Sequence, residues 1–160
     1  MKNAYIYQTR IGSFLIAGDC QGITDITLFH EKDRESLSGK YILAETEHLK
    51  EAAIQLAEYL EGTRKDFTIR LNPQGTPFRQ KVWEALREIP YGETRSYKQI
   101  AEAIGNGKAS RAVGMANHHN PIMCIIPCHR VIGANGSMVG YAGGIEIKKQ
   151  LLLLEQGKEE

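Results

Sequence analysis

Cys128 and His129 stand side by side in Pro127-Cys128-His129-Arg130-Val131, directly after the apolar run Ile122-Met123-Cys124-Ile125-Ile126. A thiol attacks only as thiolate, and an adjacent base or cation raises the thiolate fraction at neutral pH. Nucleophilic chemistry at Cys128 is therefore the first expectation. The pair alone, however, is better read as a buried cysteine acting as a small hydrophobe beside a hydrogen-bonded histidine. Three further features shift the weighting. Asn120-Pro121 precedes the apolar run, which reads as a strand; a glycine-rich run from Gly133 to Gly144 follows the motif; and Glu155 lies in an apolar terminal helix.

The elements that must position these residues divide the chain in two. Ala4 to Gln8, Ser13 to Ala17 and Ile23 to Phe29 are β-branched and aromatic runs with glycine-bearing connectors, which predicts an antiparallel meander. Glu31 to Gly39 reads as charged loop. Leu49, Ala52, Ala53, Leu56 and Leu60 recur at helical spacing before Gly62, and Asp66 to Leu71 is one more candidate strand. Asn72 to Pro77 has linker composition. The expected organisation is an α/β domain over residues 1–75 and a mainly helical domain over 76–160.

In the second part Thr76 and Pro77 can open a helix whose Phe78, Val82, Leu86 and Ile89 share a face, with Trp83 in the core. Ser96 and Gln99 form a capping-box pattern for a second helix that Gly105 should end. A third begins at Lys108. Two short helices joined by a glycine-bearing turn fit a helix-turn-helix, a pattern also common in helical proteins with no nucleic-acid role. The run Lys108 to Ala116 carries small side chains around Arg111. On its own it reads as close packing against another helix.

Twenty basic and nineteen acidic residues give a net charge of +1, so nucleic-acid contact must come from a local patch. With 42% hydrophobic residues the chain can build a real core. Three irregularly spaced cysteines argue against a disulfide framework and for a reducing compartment. No apolar run is long enough for a signal peptide or membrane span, so a cytoplasmic protein is expected. His118, His119, Cys124, Cys128 and His129 lie close in sequence, yet match none of the usual zinc spacings. Cys20 and His30 alone do not make a metal site. No metal and no cofactor are expected, and Cys20 and Cys124 are read as buried thiols.

From Thr76 to Glu155 the chain resembles the O6-alkylguanine-DNA alkyltransferase family, whose signature is proline-cysteine-histidine-arginine followed by an aliphatic residue. The resemblance implies a ribonuclease-H-like first domain and, in the second, a recognition helix that enters the minor groove through Ala109, Ser110, Ala112 and Gly114. It implies flipping of the damaged nucleotide, with Arg111 filling the vacated stack and Tyr97 crowding the phosphate and assisting the leaving base. Cys128 would accept the alkyl group, His129 would take its proton through a water, Glu155 would orient His129, and Asn120 would pin the Cys128 turn, where an Asx turn alone has the same geometry. Backbone groups at Val131 and Ala142 would read the base, with Tyr141 as a pocket wall. Lys108, Arg111 and Arg130 would supply the basic patch, although Arg130 could equally be a buried structural residue. The implied partner is double-stranded DNA bearing O6-alkylguanine, with O4-alkylthymine as a further substrate class, met by a monomer.

Because a thioether has no easy hydrolytic exit, the resemblance implies one turnover per molecule. A thiol hydrolase uses the same residue set, and a lesion-binding relative that only flags damage is the closest competitor in another class. Such relatives replace the cysteine. Met115, where the family often has glycine, His118, where it often has arginine, and Ala142, where mammalian members have serine, leave the substrate range open. The charges of Lys148-Lys149 and Glu159-Glu160 read as solvated surface.

Overall fold

The computed structural model describes residues 1–136 and 144–157. The chain separates into two compact units, Met1–Gln74 and Gly75–Glu160. In the first, β1 (Lys2–Thr9), β2 (Gly12–Asp19) and β3 (Gly22–Leu28) form the expected antiparallel meander. Asp19 Oδ1 accepts from the Gln21 and Gly22 amides, so an Asx turn closes the second hairpin. A short strand not foreseen, β4 (Tyr41–Leu43), adds parallel to β1 and gives the order β3-β2-β1-β4.

Helix α1 (Glu47–Leu60) packs on this sheet through Leu49, Ala52, Leu56, Tyr59 and Leu60. Thr46 caps it by accepting from the Leu49 amide, and Gly62 follows at φ +83°. A second cluster of Ala4, Leu15, Ala17, Phe29 and Leu37 fills out the core. Glu31–Leu37, read as loop, forms a 3-10 helix that delivers Leu37 to that cluster. The strand expected over Asp66 to Leu71 shrinks to one bridge between Ile23 and Leu71. The buried Gln55 side chain takes the Thr68 amide at 2.9 Å, removing a donor that a longer ladder would need.

In the second unit α2 (Pro77–Arg87) starts as expected, with Thr76 accepting from the Arg79 amide and Pro77 in the first turn. Gly75 is required before it, since a Cβ there would lie 2.4 Å from the Trp83 ring. Trp83 is buried, and its indole N–H donates to the Ala116 carbonyl at 2.9 Å, tying α2 to α4. Helix α3 (Tyr97–Ala103) opens with the full Ser96–Gln99 capping box, and Gly105 follows it at φ +84°. Helix α4 runs over Ser110–His118, two residues later than expected, because Ala109 closes a turn onto the Asn106 carbonyl. The α3–α4 pair is the anticipated helix-turn-helix.

Two features of this unit were not legible. The strand β5 (Arg95–Ser96) pairs parallel with β6 (Val131–Ile132), fixing the segment after Cys128 beside the start of α3. The apolar run Ile122 to Ile126 is not a strand: Ile125 bonds back to Met123 and Ile126 to Ile122, while Cys124 adopts φ +70°. The run is buried throughout, so its hydrophobicity reports depth rather than extension. The last helix, α5 (Ile145–Glu155), buries Lys148, Leu151, Leu152 and Glu155 on one face.

Candidate active site

Cys128 opens a single 3-10 turn, Cys128–Arg130, and is fully buried. Two side chains from the end of α4 and the residues after it grip this turn. Asn120 Nδ2 donates to the Ile126 carbonyl at 2.8 Å and to Cys128 Sγ at 3.1 Å, while its Oδ1 accepts from the Ile122 amide at 2.9 Å. Asn117 Nδ2 donates to the Cys128 carbonyl at 3.3 Å. Asn120 thus does more than close an Asx turn: it reaches the sulfur itself. Replacing Asn120 with alanine leaves the Ile126 carbonyl and Ile122 amide without that side chain, at about 1–3 kcal/mol for each buried group. We expect Asn120→Ala to lower unfolding free energy by about 2–6 kcal/mol, read by urea denaturation.

The imidazole of His129 is buried, with Nε2 2.6 Å from Glu155 Oε2. Glu155 is the hub of the site. Its Oε1 also accepts from Arg130 Nε at 2.8 Å and from the Gly92 amide at 3.1 Å, and its Oε2 from Arg130 Nη2 at 3.0 Å. Burial pushes the His129 pKa below its ordinary value, against the carboxylate, which acts to raise it. The ring is therefore a neutral base near pH 7.

Arg130 is not a surface cation. It is 6% exposed, forks onto Glu155, donates Nη1 to the Ile89 carbonyl at 2.7 Å and lies 5.7 Å from the centre of the Tyr91 ring. Of the two readings open for it, phosphate contact or buried structural residue, the structure shows the second. Lys148, read as solvated, is fully buried and donates Nζ to the Val131 carbonyl at 2.5 Å; Lys149 alone of the pair is exposed. Burial depresses the Lys148 pKa. Val131 is buried in β6, with its carbonyl already accepting from Lys148. Tyr141 and Ala142 lie outside the described residues.

Tyr97, at the first position of α3, borders a groove of about 800 Å³ shared with Ser110, Arg111, Gly114, Met115, His118 and His119. Burial and the nearby Cys128 raise the Tyr97 pKa, keeping its hydroxyl a proton donor. Arg111 and Ala112 are exposed on α4, and Lys108 is exposed in the turn before it, beside the half-buried Ala109. The small residues of this face leave the groove open along the helix. Cys124 is buried, and that burial raises its thiol pKa, whereas Cys20 is exposed, contrary to expectation. Among the described residues no group of three histidine, cysteine or acidic side chains is placed to hold a metal ion. Nor is any described helix long and apolar enough to cross a membrane.

Residues 77–157 match the family model for the 6-O-methylguanine DNA methyltransferase DNA binding domain, and residues 4–73 that for the ribonuclease-like domain of the same proteins. The chain is 50% identical over 150 residues to the methylated-DNA–protein-cysteine methyltransferase of Methanosarcina acetivorans, covering 94% of this chain and 96% of that one. The chain belongs to the methylated-DNA–protein-cysteine methyltransferase family. The constitutive family member of Bacillus subtilis is 47% identical over 155 residues, with 93% of this chain and 92% of that one covered. Among solved structures, the O6-methylguanine methyltransferase of Mycobacterium tuberculosis superposes with a TM-score of 0.86 at 41% identity, over all of this chain and 96% of that one. The Mycobacterium tuberculosis protein OGT in complex with DNA gives 0.87 at 42% identity, over 97% and 93%. The family's two-part fold, a ribonuclease-like domain followed by a helical DNA-binding domain, is the fold described above.

Proposed function

We propose that this chain reverses alkylation damage in DNA by moving the alkyl group from O6 of guanine to Cys128, once per molecule. The observation that carries the reading is the pair of buried contact sets on one 3-10 turn, Asn120 on Cys128 and Glu155 on His129 and Arg130, within one family fold. Proton removal from Cys128 by His129, through a water, makes the thiolate. The thiolate sulfur bonds to the alkyl carbon as the carbon–oxygen bond breaks, and the leaving guanine takes a proton with help from the Tyr97 hydroxyl. Glu155 keeps the imidazole aligned and stabilises its positive form. The thioether has no comparable hydrolytic exit, so the protein is spent. O4-alkylthymine is a further substrate under the same chemistry.

Double-stranded DNA is the partner, held along α4 by Ala109, Ser110, Ala112 and Gly114 with Lys108 and Arg111 as cations, and the protein acts as a monomer in the cytoplasm. Arg111 fills the stack that the flipped nucleotide leaves. Since only a duplex has that stack to fill, Arg111→Ala should slow transfer from duplex about tenfold and leave transfer from a single-stranded oligonucleotide near wild type. Equal slowing on both substrates would remove Arg111 from the flipping step.

The deciding experiment mixes the protein with a duplex carrying one O6-methylguanine and reads intact and peptide masses. The expected result is a single methyl on the Cys128 peptide, guanine restored in the DNA, and no second turnover. Lesion binding with Cys128 unmodified would favour a damage sensor, and repeated turnover would exclude suicidal transfer.

A further inference from the structure

Asn117 is fully buried on α4, beside Val113 and Ala116 and away from the helix's exposed residues Arg111, Ala112, Met115 and His118. Its carboxamide orientation is dictated by chemistry. The Cys128 carbonyl can only accept, so the amide nitrogen must face it, and Oδ1 points elsewhere. That oxygen is buried and meets no donor among the described residues. The Cys128 carbonyl already has a backbone partner, the Val131 amide, which closes the 3-10 turn. A leucine or methionine of similar size would fill the same space without burying an unsatisfied acceptor. Judged by stability alone, asparagine is the wrong residue here.

From this we infer that Asn117 is a positioning residue for the alkyl-transfer step, retained for its grip on the Cys128 backbone at a cost in stability. The two carboxamides divide the work: Asn120 holds the sulfur of Cys128, and Asn117 holds its carbonyl. Together they fix the direction of the Cα–Cβ bond along which the sulfur approaches the alkyl carbon. Because Asn117 belongs to α4, the same contact ties the nucleophile to the helix whose exposed face lines the groove. Misplacement by an ångström is enough to cost a reaction one or two powers of ten in rate.

The inference rests on the proposed transfer to Cys128, and its test separates the two. Asn117→Leu and wild type are compared for thermal unfolding and for the single-turnover rate of methyl transfer from an O6-methylguanine duplex, at saturating protein. The expected result is a Tm equal to wild type or higher by up to about 4 °C, with the transfer rate down about tenfold and lesion affinity unchanged. A lower Tm with an unchanged rate in Asn117→Leu would overturn the inference, as would a rate loss that only tracks loss of folded protein. Should wild type itself fail to methylate Cys128, the functional reading falls first.

Discussion

Cys128→Ser protein is expected to show no alkyl transfer while still binding the damaged duplex. The hydroxyl that replaces the thiol is smaller, so the buried turn and the Asn120 contact can close around it with little strain. Chemically the exchange is severe. A thiol with a base at hand supplies a substantial thiolate fraction near pH 7, whereas a serine hydroxyl supplies essentially no alkoxide. Removal of a nucleophile of this kind costs on the order of 10⁴-fold or more in rate. Mass spectrometry after prolonged incubation checks the first half, and a gel-shift titration against O6-methylguanine duplex checks the second. Methyl transfer by this variant to any other residue would sink the assignment of Cys128.

Glu155→Gln is expected to have the largest effect on the fold and a large effect on rate. One carboxylate, with a 1% exposed side chain, accepts from His129, twice from Arg130 and from the Gly92 amide. Glutamine keeps the shape but turns one acceptor into a donor and cancels the charge opposite the buried guanidinium. Breaking one side of a buried ion pair costs about 3–5 kcal/mol, because the remaining charge stays behind without compensation. For a chain of this size that corresponds to a Tm lower by roughly 6–20 °C. His129 loses the contact that fixes its ring, so transfer should fall on the order of a hundredfold even at temperatures where the variant is folded. Calorimetry and quenched-flow transfer assays at 10 °C separate the two losses. A variant with wild-type rate and lowered Tm would leave Glu155 a purely structural residue.

Local chemistry carried the legible part of the sequence. The capping box at Ser96, the Thr76-Pro77 start of α2 and the glycine stop after α3 are all decided by residues within one turn, and each appears where expected. The Cys128–His129 pair and Glu155 were visible because they are chemically reactive types in an apolar setting, and the structure joins His129 to Glu155. The long polar side chains misled. Nothing local distinguishes Lys148 from Lys149, yet helical phase puts the first inward onto Val131 and the second outward. For Arg130 the sequence left surface and buried readings open, and the choice rests on Glu155, Ile89 and Tyr91, which gather around it from distant parts of the chain. Asn117 carried no signal of its own, since its importance depends on the backbone atom it meets. A helical hydrophobic count would have placed it on the buried face of α4, three positions before Asn120.

The same packing that holds Cys128 still also limits what it can become. The sulfur has no exposed surface and is held against an amide nitrogen at 3.1 Å. A methyl group moved onto it adds a carbon that the pocket was not shaped to keep once the DNA has gone, and removes the hydrogen-bonding capacity of the thiolate. Added methylenes in a filled interior cost about 1–3 kcal/mol, a sizeable share of the 5–15 kcal/mol by which a domain of this kind is usually stable. The spent molecule is thus expected to differ from the fresh one in durability as well as in reactivity, read as a lower Tm after methyl transfer.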